Sequence, residues 1–141
     1  MTLKDYQRIR RYISRYVKPK GVKTTIAKLP DNWQGSFDWC QKVDHIGRPI
    51  GPRFRGIRLA TGLRPGYTRL HAYLHECCHA RACSNSEYKA ESLLREICRQ
   101  QGWGDILRVS TRWIKDMSAK RDKSRYTKQL RKLYYETQKH R

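Results

Sequence analysis

Apolar residues along the chain change their spacing near residue 67, and this change separates two groups of predicted elements. In the first group, residues 3–17 carry apolar side chains at helical spacing, which predicts an amphipathic helix. The residues that follow alternate apolar and polar side chains, a pattern typical of half-buried strands. We therefore predict three strands, over residues 22–29, 35–43 and 54–61, with a Gly- and Pro-rich loop at 47–52.

After residue 67 the apolar positions recur every three or four residues, so the rest of the chain is predicted to be helical. One helix begins at residue 67 and ends before Ser84, and three more are predicted over residues 86–101, 105–117 and 122–138. The order of helix, small sheet and helices indicates an α+β fold. We expect its three strands to form a mainly antiparallel sheet.

The charge of the chain is strongly unbalanced. There are 32 Lys and Arg residues against 12 Asp and Glu residues, which gives a formal net charge of +20 and a pI near 10.2. Such a surface attracts polyanions through counterion release, so we expect non-specific binding to DNA or RNA. The last predicted helix is very basic, and its candidate nucleic-acid contacts are Arg125, Lys128, Arg131 and Lys132.

Neither a membrane span nor a secretory signal is recognisable in the sequence. No stretch approaches the roughly 18 apolar residues of a spanning helix, and the N-terminal residues lack the apolar segment of a signal peptide. The five cysteines show no disulfide spacing, which is typical of a reducing compartment. We therefore expect a cytoplasmic protein, which its charge would bring to the nucleoid.

The helix that begins at residue 67 contains an H-E-x-x-H motif, His75-Glu76-Cys77-Cys78-His79. Residues four apart on a helix point the same way, so two histidines at this spacing can bind one zinc ion. The glutamate after the first histidine projects beside the metal without binding it. From there it can take a proton from a zinc-activated water, so Glu76 is the candidate general base.

A catalytic zinc needs a third protein ligand, and the next helix offers two glutamates. If the two helices are antiparallel and turn near Cys83, Glu87 comes to face His79 and Glu91 comes to face His75. We therefore predict Glu87 as the third ligand. Glu91 is predicted to accept a hydrogen bond from the free N–H of His75 and so fix its tautomer.

Other interpretations of these residues are open. Ser84 and Glu87 also have the spacing of a capping box, in which Glu87 would bind backbone and Glu91 would be the ligand. His71 lies one turn before His75 and is interpreted as a hydrogen-bonded helix histidine rather than a ligand. A thiolate site is a further alternative, formed with the histidines by Cys77, Cys78 and Cys83.

The chain resembles the gluzincin metallopeptidases in two motifs, His75-Glu76-x-x-His79 and Glu87-x-x-Ala90-Glu91. In that family an H-E-x-x-H helix is followed by a second helix that carries E-x-x-A/S-D/E. The resemblance implies the same roles as above, with one zinc ion and Glu76 as base. It also implies a minimal zincin-like domain, here residues 1–104, with residues 105–141 as a basic helical extension packed on it. The strand at 54–61 would be the edge strand along which an extended substrate lies.

The same resemblance implies a Tyr or His that stabilises the oxyanion, for which Tyr67 and Tyr88 are candidates. His75 to Ala80 also resembles the H-E-x-C-H-A motif of SprT-like proteases, which act on DNA-bound proteins. Those proteases take a third histidine downstream, and here only His140 follows His79.

We expect a zinc metallopeptidase that hydrolyses peptide bonds of a protein or peptide substrate. The alternative from another class is a non-catalytic nucleic-acid-binding protein with a structural zinc. The small size, basic charge and motif are similar to those of phage-encoded products.

Overall fold

Five α-helices and a three-stranded sheet make up the computed structural model, which describes residues 1–30, 33–120 and 124–139. Helix α1 (Leu3–Tyr12) continues as a π-helical turn (Ile13–Val17). The strands are β1 (Val22–Ala27), β2 (Gly35–Val43) and β3 (Pro49–Ala60). The remaining helices are α2 (Tyr67–Ala82), α3 (Glu87–Gln101), α4 (Gly104–Ser118) and α5 (Arg125–Lys139). The predicted α+β class is confirmed.

The sheet is mixed, with strand order β1-β3-β2. Strand β2 pairs with β3 as an antiparallel hairpin, whereas β1 pairs with β3 in parallel. The prediction of a mainly antiparallel sheet was therefore wrong for β1. Alternation along a strand reports which side chains are buried, but it does not report the direction of the neighbouring strand.

Strand β3 also corrects two details of the sequence prediction. It begins at Pro49, so the segment 47–52 is largely strand rather than loop. Proline is tolerated at the first residue of a strand and at bulges, and a register shift between Cys40 and Lys42 falls opposite this segment. Moreover, β3 is the central strand, so it is not the edge strand that we expected a substrate to follow; β2 lies at an edge instead.

Helix α2 lies at the centre of the molecule. All residues from Leu70 to Ala80 are buried, because the sheet, α1, α3 and α4 all pack against this helix. Ile57 and Leu59 of β3 contribute the sheet side of this core, and Leu94 of α3 contributes the helical side. A helix whose side chains are buried in this way can hold polar side chains only where they find partners.

Helices α4 and α5 pack against α3, and α4 also contacts α2. A second apolar cluster joins them, formed by Ile114, Leu130 and Leu133. No helix in the described part of the chain combines the length and apolar character that crossing a membrane requires.

The connection between α2 and α3 is short, and its conformation is determined by residues within the connection itself. Cys83 ends α2 in a left-handed conformation with φ of 51°. Ser86 then caps α3, since its hydroxyl accepts a hydrogen bond from the backbone N–H of Lys89. This tight reversal makes the two helices neighbours, so that side chains near the turn meet across it.

Candidate metal centre

The H-E-x-x-H segment lies on the buried central helix. His75, Glu76 and His79 are only 6%, 7% and 5% exposed. Burial of three ionisable side chains within one turn is costly unless each has a partner. Their surroundings therefore decide what the segment can do.

His75, His79 and Glu87 bring their polar atoms to one point. The Nε2 atoms of His75 and His79 lie 3.0 Å apart. Glu87 Oε1 lies 3.0 Å from His79 Nε2, and Glu87 Oε2 lies 2.8 Å from His75 Nε2. The second contact is short but is not aligned as a hydrogen bond, and Oε2 is a buried atom without a donor among the described residues.

The other nitrogen of each ring fixes where its proton lies. His79 Nδ1 is 2.8 Å from the carbonyl oxygen of Ser84, which can only accept, so Nδ1 donates. His75 Nδ1 is 2.8 Å from Glu91 Oε2 and donates in the same way. In the neutral rings both Nε2 atoms then carry lone pairs, and these face each other and the Glu87 carboxylate. A cation bound between the three groups satisfies all of these lone pairs, so the residues fit a metal ion.

A second group of potential ligands, His71, His75 and Glu91, lies deeper in the molecule. Here the contacts are already aligned hydrogen bonds: His71 Nε2 lies 2.9 Å from Glu91 Oε1, and His75 Nδ1 lies 2.8 Å from Oε2. Because these polar atoms have partners, this group supports the outer site and needs no ion of its own.

Glu91 organises the inner layer of the centre. It is completely buried, and Oε1 also accepts a hydrogen bond from the hydroxyl of Ser110 on α4, at 2.9 Å. Ser110 in turn accepts a hydrogen bond from Arg95 at 3.2 Å. The carboxylate therefore ties α2, α3 and α4 together around His75.

The titration behaviour of the acids follows from these contacts. Burial opposes ionisation of Glu87, but the adjacent rings of His75 and His79 outweigh it and lower its pKa to about 2. Burial likewise opposes ionisation of Glu91, yet His71 and His75 hold its pKa well below the usual value. Both carboxylates are thus anionic at neutral pH, the form in which a carboxylate can bind a metal ion.

The pKa of His75 is raised well above its usual value, because the charges of Glu91 and Glu87 and the hydrogen bond to Glu91 outweigh the effect of burial. Without a metal the ring therefore holds a proton between these acids. A metal ion must displace this proton in order to bind.

Glu76 stands beside the three ligands and behaves differently from the other two acids. Burial raises its pKa, and it makes no hydrogen bond with the histidines. Strand β2 approaches it closely at Gly35, where an added Cβ would lie 2.9 Å from Glu76 Cγ. Gly35 is therefore required to leave room for this side chain.

A cleft of about 640 Å³ opens over the centre. Its floor is α2, one wall is the start of β2 with Phe37 and Asp38, and the other wall comes from α4 and α5. From the second wall Trp113 packs against His75, with ring centroids 5.2 Å apart, and Tyr126 also faces the cleft. The candidate metal centre is thus open on one side.

Tyr126 is largely buried in this wall. Burial and the nearby charges of Glu87, Glu91 and Glu76 raise its pKa, so the phenol stays protonated. A protonated phenol on the cleft is a hydrogen-bond donor to whatever binds there.

The capping-box interpretation of Glu87 was wrong. Ser86, not Ser84, caps α3, and Glu87 is the first residue of the helix. The Ser84 hydroxyl accepts from the backbone N–H of Ser86 instead. The Glu87 carboxylate is therefore free to face the histidines.

The candidates for oxyanion stabilisation were also misplaced. Tyr67 hydrogen-bonds Asp105, and the hydroxyl of Tyr88 donates to Glu136. Neither tyrosine lines the cleft.

Among the described residues, neither of the two groups that could hold a metal ion includes a cysteine. Burial raises the pKa of Cys77 to about 12 and that of Cys78 well above its usual value, so both remain thiols. Cys83 is exposed on the helix turn. The thiolate alternative is therefore not supported.

The candidate nucleic-acid contacts on α5 fall into two pairs. Arg125 and Lys128 are exposed. Arg131 instead donates to the carbonyl oxygen of Ser118 at 3.0 Å, and the ammonium of Lys132 lies 4.8 Å from the centre of the Tyr88 ring. His140, the candidate third histidine of the SprT-like interpretation, lies outside the described residues.

Three residues of the centre were not singled out from the sequence: Ser110, Trp113 and Tyr126. One signal was present, since Ser110 lies midway between Ile106 and Ile114 at helical spacing, a polar residue on a buried face. The two aromatic residues lie at helical spacing with apolar neighbours, and nothing local distinguishes them from ordinary core residues.

No family model, curated protein or solved structure matches this chain. What the centre does must therefore be argued from its own geometry.

Proposed function

We propose that this protein is a zinc-dependent metallopeptidase. The observation that carries the proposal is the meeting of three lone-pair donors, from His75, His79 and Glu87, beside the buried carboxyl of Glu76. A purely structural metal site is closed by its ligands, whereas this one opens into a cleft. That opening favours catalysis over the alternative of a nucleic-acid-binding protein with a structural zinc.

The donor set favours zinc among the common metals. Two imidazoles and one carboxylate suit a tetrahedral zinc ion with its fourth position open. Hard cations such as Mg²⁺ and Ca²⁺ prefer oxygen ligands throughout. We therefore propose one zinc ion, held by His75, His79 and Glu87.

Zinc at this position would lower the pKa of a water and polarise a scissile carbonyl. Burial raises the pKa of Glu76 above its usual value, and this is the direction that favours proton transfer near neutral pH. In the proposed reaction Glu76 takes a proton from the attacking water and delivers it to the leaving amine. Glu91 keeps the His75 ring in place throughout.

The walls of the cleft indicate where a peptide would lie. Strand β2 is an edge strand, and its first residues border the cleft. An extended peptide can add to such an edge through backbone hydrogen bonds. We propose that the scissile bond then faces Tyr126, whose protonated phenol would donate a hydrogen bond to the developing oxyanion.

The decisive experiment replaces Glu76 by Gln, which keeps the shape of the side chain but removes the base. The matched control is Glu96→Gln, because Glu96 is an exposed glutamate on α3. Both variants and the wild type are assayed for bound zinc by elemental analysis and for cleavage of a fluorogenic peptide library.

We expect equal zinc in all three proteins. Cleavage should fall by on the order of 10²- to 10⁴-fold in Glu76→Gln alone. Full activity of Glu76→Gln would contradict the mechanism. A wild type that holds zinc but cleaves no peptide would favour the non-catalytic alternative.

A further inference from the structure

A second cavity, of about 400 Å³, lies further along α3 from Glu87 and Glu91, between α3, α4 and α5. Arg95 and Arg99 of α3 line it, together with the hydroxyl side chains of Ser92, Thr111 and Thr137. Its volume falls within the range of small-molecule sites. Two guanidinium groups against the one carboxylate of Glu136, together with several hydroxyls, make it a polar, positively charged pocket, which we call the arginine pocket.

Arg95 is the unusual member of this pocket. It is only 8% exposed, yet the ion pairs formed among the described residues do not include it. Its Nη1 donates to the hydroxyls of Ser110 and Thr111, at 3.2 and 3.0 Å. Its Nε is a buried donor without a partner in the described part of the chain.

The nearest carboxylates do not balance this charge directly. Glu91 lies beyond Ser110, and its oxygens already accept from His71, His75 and Ser110. Glu136 lines the pocket and its carboxylate accepts the hydroxyl of Tyr88, but it forms no ion pair with Arg95 among those of the described residues. Burial and the neighbouring charge of Arg99 lower the pKa of Arg95, and the charge of Glu91 opposes this lowering only in part. A buried cation next to a like charge is costly unless an anion accompanies it.

We propose that the arginine pocket binds a phosphate group. A guanidinium group binds tetrahedral oxyanions through pairs of parallel N–H groups. The Nε–H of Arg95 belongs to one such pair. Arg99 adds the second positive charge from the next turn of α3, and the hydroxyls of Ser92, Thr111 and Thr137 can complete the set of donors. A free phosphate and the phosphate of a nucleic-acid strand share this chemistry.

The test is a calorimetric titration of the full-length chain with sodium phosphate at constant ionic strength. The variants are Arg95→Gln and Arg99→Gln. The control is Arg108→Gln, which makes the same change of charge at an exposed arginine of α4 paired with Asp105. Circular dichroism checks that each variant is folded, and Arg99 is exposed, so its replacement leaves the core intact.

We expect one saturable phosphate site in the wild type and in Arg108→Gln. Affinity should fall by on the order of tenfold or more in both pocket variants, because each loses a charged hydrogen-bond donor. Equal phosphate binding in all four proteins, or no saturable binding by the wild type, would overturn the proposal. Neither result depends on peptidase activity.

A short oligothymidylate in the same titration identifies the source of the phosphate. Weaker oligonucleotide binding by Arg95→Gln than by Arg108→Gln assigns the group to a nucleic-acid strand. Equal oligonucleotide binding by these two variants, with phosphate binding lost in Arg95→Gln, assigns it to a free anion.

Discussion

The Nδ1–H group of His75 donates a hydrogen bond to the buried carboxylate of Glu91, 2.8 Å away on the neighbouring helix. The bond leaves Nε2 of the ring as the atom that faces Glu87 and His79. The direction in which His75 can bind a metal is therefore set from α3, by a residue that does not itself face the cleft.

Replacing Glu91 by Gln should weaken zinc binding by on the order of 10- to 100-fold. The amide offers one oxygen where the carboxylate offers two, so it cannot accept from both His71 and His75. The measurement is a zinc titration in competition with a chromophoric chelator. Glu96→Gln, an exposed change on the same helix, is the control. An unchanged zinc affinity in Glu91→Gln would show that His75 does not need this support.

Gly35→Ala should reduce peptidase activity without removing the metal. The new Cβ would meet Glu76 Cγ at 2.9 Å and the carbonyl oxygen of Arg58 at 3.2 Å, so Glu76, the proposed general base, must shift. A displacement of about 1 Å in a catalytic group can cost on the order of 10²-fold in rate. Steady-state kinetics and zinc content are measured together.

The control for this change is Gly104→Ala, because a Cβ at Gly104 meets no atom within 4 Å. Equal activity of Gly35→Ala and Gly104→Ala would mean that Glu76 has more freedom than its packing against β2 indicates.

Tyr126→Phe should lower kcat by on the order of 10²-fold while zinc content stays unchanged, because the oxyanion would lose one donor. Tyr88→Phe removes a hydroxyl that donates to Glu136 instead, and should leave kcat unaltered. The two variants are compared by kcat and KM on one peptide. If both behave like the wild type, Tyr126 is part of the wall and not a donor to the reaction.

The contact between His79 and Glu87 could be predicted because residues close in sequence determine it. Helical spacing places His75 and His79 on one side of α2, and a short reversal at Cys83 brings α3 back beside it. Only the identity of the helix cap was missed. Ser84 and Ser86 are two residues apart, and the backbone conformation, not the residue type, decided between them.

The sheet and the far wall of the cleft could not be predicted in the same way. Strand β1 pairs in parallel with β3, and this depends on the path of the chain between the strands. Trp113 and Tyr126 come to the cleft only through the packing of α4 on α2 and of α5 on α4. Such contacts join residues far apart in sequence, and helical periodicity shows only that these side chains are buried.

Acid should destabilise the metal-free protein through Glu87. Its pKa is lowered from 4.5 to about 2, so between these values the unfolded chain takes up a proton that the folded chain does not. The contribution of Glu87 to the free energy of unfolding is therefore complete above pH 4.5 and is lost as pH falls toward 2. His75 adds no slope here, because a raised histidine pKa leaves the ring charged in both states at these pH values.

The measurement is urea unfolding of chelator-treated protein at a series of pH values below 5. In Glu87→Gln the decline of unfolding free energy with falling pH should be shallower than in wild type, since one acid-sensitive interaction is gone. Glu96→Gln should keep the wild-type slope, because Glu96 is exposed and has no part in the centre. If Glu87→Gln and wild type declined in parallel, Glu87 would not be held as an anion by the two histidines, and its assignment as the third ligand would lose its electrostatic basis.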